Sequence, residues 1–209
     1  MTSPEVELRR VWHRAVGRGH DLALEGLLAR HREPHRRYHT ATHVMWVCRH
    51  VDRLLAEHQV DDPDAVRLAA LFHDAVYDPR AATNETASAH LAAARLGEIG
   101  WTDDRHALVA RLIELTAGHE VDPADVAGAV LLDADLAILG ADPGDYQHYV
   151  NGVRAEYAHV DDEGWRTGRA QVLRRFLARE AIYLTATMHA EREQRARANL
   201  TAELTGLRD

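Results

Sequence analysis

The chain has 209 residues, 46% of them hydrophobic and 28% charged. This is one domain's worth of sequence, able to bury a core without disulfides or a structural metal, and its composition excludes a disordered or fibrous chain. Thirty-three acidic against 25 basic side chains give a net charge of −8, which argues against a nucleic-acid polymer as partner. No apolar run approaches the ~18 residues of a membrane span. The opening MTSPEVELRR lacks an apolar signal core and Cys48 is the only cysteine, so a cytoplasmic protein is expected. Every basic residue is Arg, a compositional bias to which no function attaches. Fifteen histidines are a surplus that matters, because imidazole both binds metals and titrates near neutrality.

Taken in chain order, the punctuation is helical from end to end, and an all-α fold is expected. Ser3-Pro4, Asp62-Pro63, Asp122-Pro123 and Asp142-Pro143 each set a capping side chain before a proline at the first helical position, where the missing N–H costs nothing. Further helices are expected near 20–31, 40–58, 85–97, 103–117 and 163–183, with a polar terminal helix near 189–206. There is no internal repeat or linker, so residues 1–209 read as one domain. The tail from Glu191 is open to two readings, a solvated surface helix or an oligomer-forming one.

Three segments carry candidate chemistry. The segment Tyr38-His39-Thr40-Ala41-Thr42-His43 is expected to open the third helix, with His39 and His43 on one face beside the apolar stripe Val47, Val51 and Leu54. His73, in Leu71-Phe72-His73-Asp74, has Val66, Ala69, Ala70 and Tyr77 as turn-mates and points at the core, where an imidazole beside a carboxylate is costly without a partner. The apolar helix Leu131 to Gly140 holds two carboxylates. Asp135 falls within the arc of Leu131, Leu132, Ile138 and Leu139, and Asp133 is expected roughly opposite, facing away from the core.

A His, a His-Asp pair and a distant Asp, all on helices, resemble the signature of the HD superfamily of metal-dependent phosphohydrolases, here His43, His73-Asp74 and Asp135. The stretches Glu33–His39, Phe72–Asp78, Asn84–Ala89, Leu132–Gly140 and Ala196–Leu200 are similar to a family of small bacterial predicted HD phosphohydrolases. The resemblance implies a helical HD bundle with a divalent metal on those four residues. Tyr-His-x-x-x-His followed by His-Asp and then Asn84-Glu85 also resembles the metal site of cyclic nucleotide phosphodiesterases, although Thr40 stands where those enzymes have Asn. That similarity implies His39 as general acid and Glu85 as a carboxylate orienting His39 or the attacking water. His119 sits where many HD proteins have another His, implying a second ion or a substrate phosphate there, with His90 and His106 as lesser candidates.

The donor set is chemically coherent. Two neutral imidazoles and two carboxylates neutralise a divalent cation and leave positions for water and substrate. Such a cation lowers the pKa of water so that hydroxide can attack phosphorus, and mixed N/O ligation admits Mn, Mg, Fe, Co, Ni or Zn. Several assignments stay open. His39 is a general acid or a residue at a helix start, Glu85 a site carboxylate or a first-turn acid, and Arg36 a phosphate anchor or an ion-pair former. The cluster Tyr146, Tyr149, Arg154, Glu156 and Tyr157 is packing or a pocket wall. The expected activity is hydrolysis of a small phosphate ester or anhydride, a nucleotide being the favoured partner. The alternatives are a di-iron HD-type oxygenase and a nucleotide-sensing module without turnover.

Overall fold

Local capping chemistry and apolar periodicity resolve the chain into ten α-helices and one 3-10 turn in a computed structural model that describes residues 3–122 and 124–207. No strand occurs among the described residues, so the fold is all-α. The chain divides into two compact units, 1–135 and 136–209.

The first unit holds α1 (Pro4–Val16), α2 (Asp21–His31), α3 (Ala41–Glu57), α4 (Pro63–Phe72), α5 (Asn84–Glu98), α6 (Asp103–Leu115) and α7 (Val126–Asp135). Proline stands at the first helical position of α1 and α4, as the sequence leads one to expect. Asp62 accepts a hydrogen bond from the Ala65 N–H at 3.1 Å, whereas Ser3 makes no side-chain cap. Pro123 lies outside the described residues, and α7 begins at Val126. α3 is capped by Thr40, whose hydroxyl accepts from the Thr42 N–H, and it buries Val44, Val47, Val51 and Leu54. Trp12 of α1 is fully buried, its ring centroid 6.2 Å from that of Phe72.

α7 departs from the expected amphipathic pattern. Val130, Leu131, Leu132, Asp133 and Ala134 are all buried, and Asp133 has no exposed surface at all. The expectation that Asp133 faces away from the core is therefore corrected. A helix apolar on every side sits inside the protein and has no solvent face to receive the second carboxylate. The helix also stops at Asp135 and tightens into a 3-10 turn, so an arc drawn through Ile138 and Leu139 at the α-helical angle no longer applies.

The second unit holds the 3-10 turn Leu136–Gly140, α8 (Pro143–Glu156), α9 (Asp162–Leu177) and α10 (Ala186–Gly206). The helix expected over 163–183 ends at Leu177. Asn199 of α10 donates to the carbonyls of Leu139 and Ala141 at 2.8 and 3.0 Å, and Tyr183 donates its hydroxyl to the Leu136 carbonyl at 3.0 Å. A Cβ at Gly140 would lie 2.6 Å from the Arg192 Cβ, so glycine is required for this close approach. α10 is thus packed along one side through Glu193, Ala196, Asn199 and Leu200. The tyrosine cluster is internal bonding of this unit: Tyr146 donates to Glu203, Arg169 grips the same carboxylate through two nitrogens at 2.7 and 3.0 Å, and Arg154 bonds Asp162. No described helix in either unit is long and apolar enough to cross a membrane.

Candidate metal centre

Three helices of the first unit, with the turn that follows α4, deliver four side chains to one point. His43 lies in the first turn of α3, His73 is the residue that ends α4, Asp74 follows it, and Asp135 is the last residue of α7. His43 Nε2 and His73 Nε2 stand 3.1 Å apart. Asp74 Oδ2 is 3.4 Å from the first and 3.1 Å from the second. Asp135 Oδ1 is 3.2 Å from His43 and 3.5 Å from His73. His43, His73 and Asp135 form a group able to hold a metal ion, and Asp74 borders both imidazoles.

These distances fit a small cation. With metal–ligand bonds of about 2.1 Å, neighbouring ligand atoms lie about 3.0 Å apart at right angles and about 3.4 Å apart at the tetrahedral angle. His73 Nδ1 is 2.9 Å from the Ala70 carbonyl, an arrangement in which the Nδ1–H donates and the Nε2 lone pair is left for the centre. Two imidazole nitrogens meeting between two carboxylates is an arrangement that a cation satisfies.

Electrostatics follow the same geometry. Burial disfavours charge on all four groups, but their mutual attraction overrides it. The carboxylates of Asp135 and Asp74 hold the His43 and His73 imidazoles above their ordinary range, His73 more strongly. The imidazoles, His73 foremost, hold Asp74 and Asp135 well below theirs.

His119 joins from the turn after α6, its Nε2 2.9 Å from Asp135 Oδ2, the oxygen opposite the one facing His43. Its backbone has φ 51°, the left-handed region that non-glycine residues occupy at a cost. His39 precedes the Thr40 cap, so it does not share a helical face with His43 as expected. The turn leading into α3 nonetheless brings the two ring centroids to 5.6 Å, and His39 packs at 4.3 Å on Tyr77.

Arg36 is turned inward, with no side-chain surface exposed. Its guanidinium donates to Glu33, to the carbonyls of His39 and Asp74 at 3.0 and 2.8 Å, and to that of Ala75 at 3.3 Å. It is the tie between the His39 and Asp74 segments, where a phosphate anchor would need free donors. Glu85 stands in the first turn of α5 and is not among the residues whose ligand atoms meet at the centre. Its neighbours do the structural work. Asn84 accepts from the Asp78 N–H at 3.0 Å and donates to the Asp78 carbonyl at 2.9 Å, and Ser88 does the same for Val76 at 2.9 and 3.2 Å. The loop after His73-Asp74 is therefore latched to α5 at two points. The sequence places Asn84 and Ser88 in the stretch Asn84–Ala89 without giving either this role, although two small polar residues one turn apart at a helix start are the available signal. No protein-family description, curated protein or solved structure matches the chain.

Proposed function

We propose that the chain is a divalent-metal-dependent phosphohydrolase that cleaves a small phosphate ester or anhydride of the nucleotide type. The observation that carries the proposal is the meeting of two imidazole nitrogens and two carboxylate oxygens at 3.1–3.5 Å. The resemblance of His43, His73-Asp74 and Asp135 to the HD signature supports it. His43, His73, Asp74 and Asp135 would hold the ion. When bound, a divalent cation supplies Lewis acidity, lowering the pKa of water and polarising phosphoryl oxygens.

The rest of the chemistry belongs to the chain. His39, half-exposed and within ring contact of His43, is placed to give a proton to the leaving oxygen. Tyr77 packs on the His39 ring and restricts its orientation. Arg36 fixes the backbone of His39 and Asp74 together, so the proton donor and the first carboxylate share one frame. His119 holds the outer oxygen of Asp135 and thereby aims the inner one.

The test is elemental analysis of purified protein, followed by phosphate release from nucleoside mono-, di- and triphosphates and by nucleoside monophosphate formation from cyclic phosphates. One ion per chain with phosphate release is expected, and Asp135→Asn should lose both. Absence of any ion under every loading condition overturns the proposal. Two irons without phosphate release turns it toward oxygen chemistry, and tight nucleotide binding without product toward a sensing module.

A further inference from the structure

Each residue from Asp74 to Asp78 is tied by a side chain. Arg36 donates to the Asp74 and Ala75 carbonyls, Ser88 bonds the backbone of Val76, and Asn84 bonds that of Asp78. The tie on Tyr77 is His35, whose Nε2 lies 2.7 Å from the Tyr77 carbonyl. A carbonyl only accepts, so the Nε2–H donates. The Glu33 carboxylate, 3.7 Å from the same nitrogen, is engaged by Arg36 at 3.1 Å. The His35 ring also runs nearly parallel to that of Tyr77, at 13° with centroids 6.2 Å apart, and Tyr77 packs in turn on His39 at 4.3 Å and 32°. His35 therefore touches, through both its nitrogen and its ring, the residue that packs on the proposed proton donor.

The His35 side chain is 42% exposed, whereas Tyr77 is buried. A hydrogen bond that open to solvent adds little to stability, because water replaces it when the side chain is removed. It does fix direction, and direction is what His39 lacks. His39 is half-exposed and precedes the Thr40 cap, so the hydrogen-bond ladder of α3 does not hold it. Its carbonyl is held by Arg36, and its ring is set by Tyr38, edge-on at 5.0 Å, and by Tyr77. We propose that His35 is a positioning residue for proton transfer, setting the His39 ring through Tyr77; this rests on the reading of His39 as proton donor. A donor displaced by a fraction of an ångström from the leaving oxygen loses much of its effect, so a residue outside the centre governs the rate.

The experiment compares the full chain with His35→Ala and His35→Gln, by NMR of the histidine ring protons in metal-free protein and by turnover of the nucleoside phosphate that the parental protein hydrolyses. The ring current of Tyr77 displaces the His39 signals, and His35→Ala should move them toward solvent values. The same variant is expected to lower kcat about tenfold and leave KM within about twofold, with ion content and melting temperature unchanged. His35→Gln, whose amide nitrogen also donates, should recover most of kcat. On a Tyr77→Leu background His35→Ala should cost nothing further, because the two residues act in series. Unmoved His39 signals or parental kcat in His35→Ala would overturn the proposal. So would a raised KM or a further loss on the Tyr77→Leu background, either of which makes His35 a direct substrate contact, and so would a fall in melting temperature that accounts for the lost rate. If the parental protein turns over no nucleoside phosphate, the phosphohydrolase reading fails, and the His39 signals still decide whether His35 sets that ring.

Discussion

His119 Nε2 grips Asp135 Oδ2 at 2.9 Å while Oδ1 of the same carboxylate stands 3.2 Å from His43. One side chain is thus divided between a partner that orients it and the centre it serves. Outer partners of metal ligands commonly govern affinity by 10–100-fold. His119→Ala is accordingly expected to weaken Mn²⁺ binding by about that factor in titration calorimetry, and unchanged affinity would make His119 a bystander.

Arg36 should be worth more to stability than a surface arginine. Its guanidinium is enclosed and satisfies three carbonyls on two separate segments. Arg36→Met leaves those carbonyls without their donor, and a loss of about 3 kcal/mol is expected from urea unfolding. A loss below about 1 kcal/mol would show that water or neighbours replace the tie.

Removing the proposed proton donor should separate catalysis from loading. In His39→Ala the ion content is expected to be unchanged and the rate of phosphate release to fall about 10²–10⁴-fold. An equal fall in ion content would place His39 among the ligands.

His31 sets a pH dependence of its own. It is buried, and that burial, aided by the nearby Arg36 guanidinium, pushes its pKa from 6.5 down to about 3. Between those values the unfolded chain takes up a proton that the native protein refuses. Stability from this group is complete above pH 6.5 and falls by about 1.4 kcal/mol per pH unit below it. His31→Leu should flatten the dependence of the urea midpoint between pH 4.5 and 6.5, and an unaltered slope would assign it elsewhere.

Metal loading should release protons. In the metal-free protein the pKa values of His43 and His73 are raised because Asp135 and Asp74 outweigh burial, so their stabilising contribution is present below pH 6.5 and is lost as pH rises through the elevated values. A cation needs both imidazoles neutral. Ion affinity is expected to increase with pH, with proton release detectable in weak buffer, and the loaded protein should escape the alkaline loss of stability shown by the metal-free one. Binding without proton release would place the ion elsewhere.

Much of this architecture is legible in the amino-acid order because it rests on local chemistry. Pro4, Pro63 and Pro143 begin helices, and the apolar period of Val47, Val51 and Leu54 brings His43 inward. His73 and Asp135 turn to the same point as expected, although the arc that placed Asp135 ran through Ile138 and Leu139, which lie in the 3-10 turn beyond α7. Asp133 was not legible: its burial depends on what surrounds the far side of α7, which no single-helix wheel contains. Arg36 was not legible either, since its partners Asp74 and Ala75 come from a segment 38 and 39 residues away. His39 lay at a boundary, where a shift of one or two residues moves a side chain off the helix.

The spacing of the donors along the chain also imposes an order of events during synthesis. His43, His73 and Asp74 emerge early, but Asp135 ends the seventh helix, 92 residues after the first ligand. A nascent chain therefore carries an incomplete donor set until α7 has left the ribosome and docked against α3 and α4. An ion held by these residues would therefore find its full donor set only at the close of folding in the first unit, once the last helix has arrived.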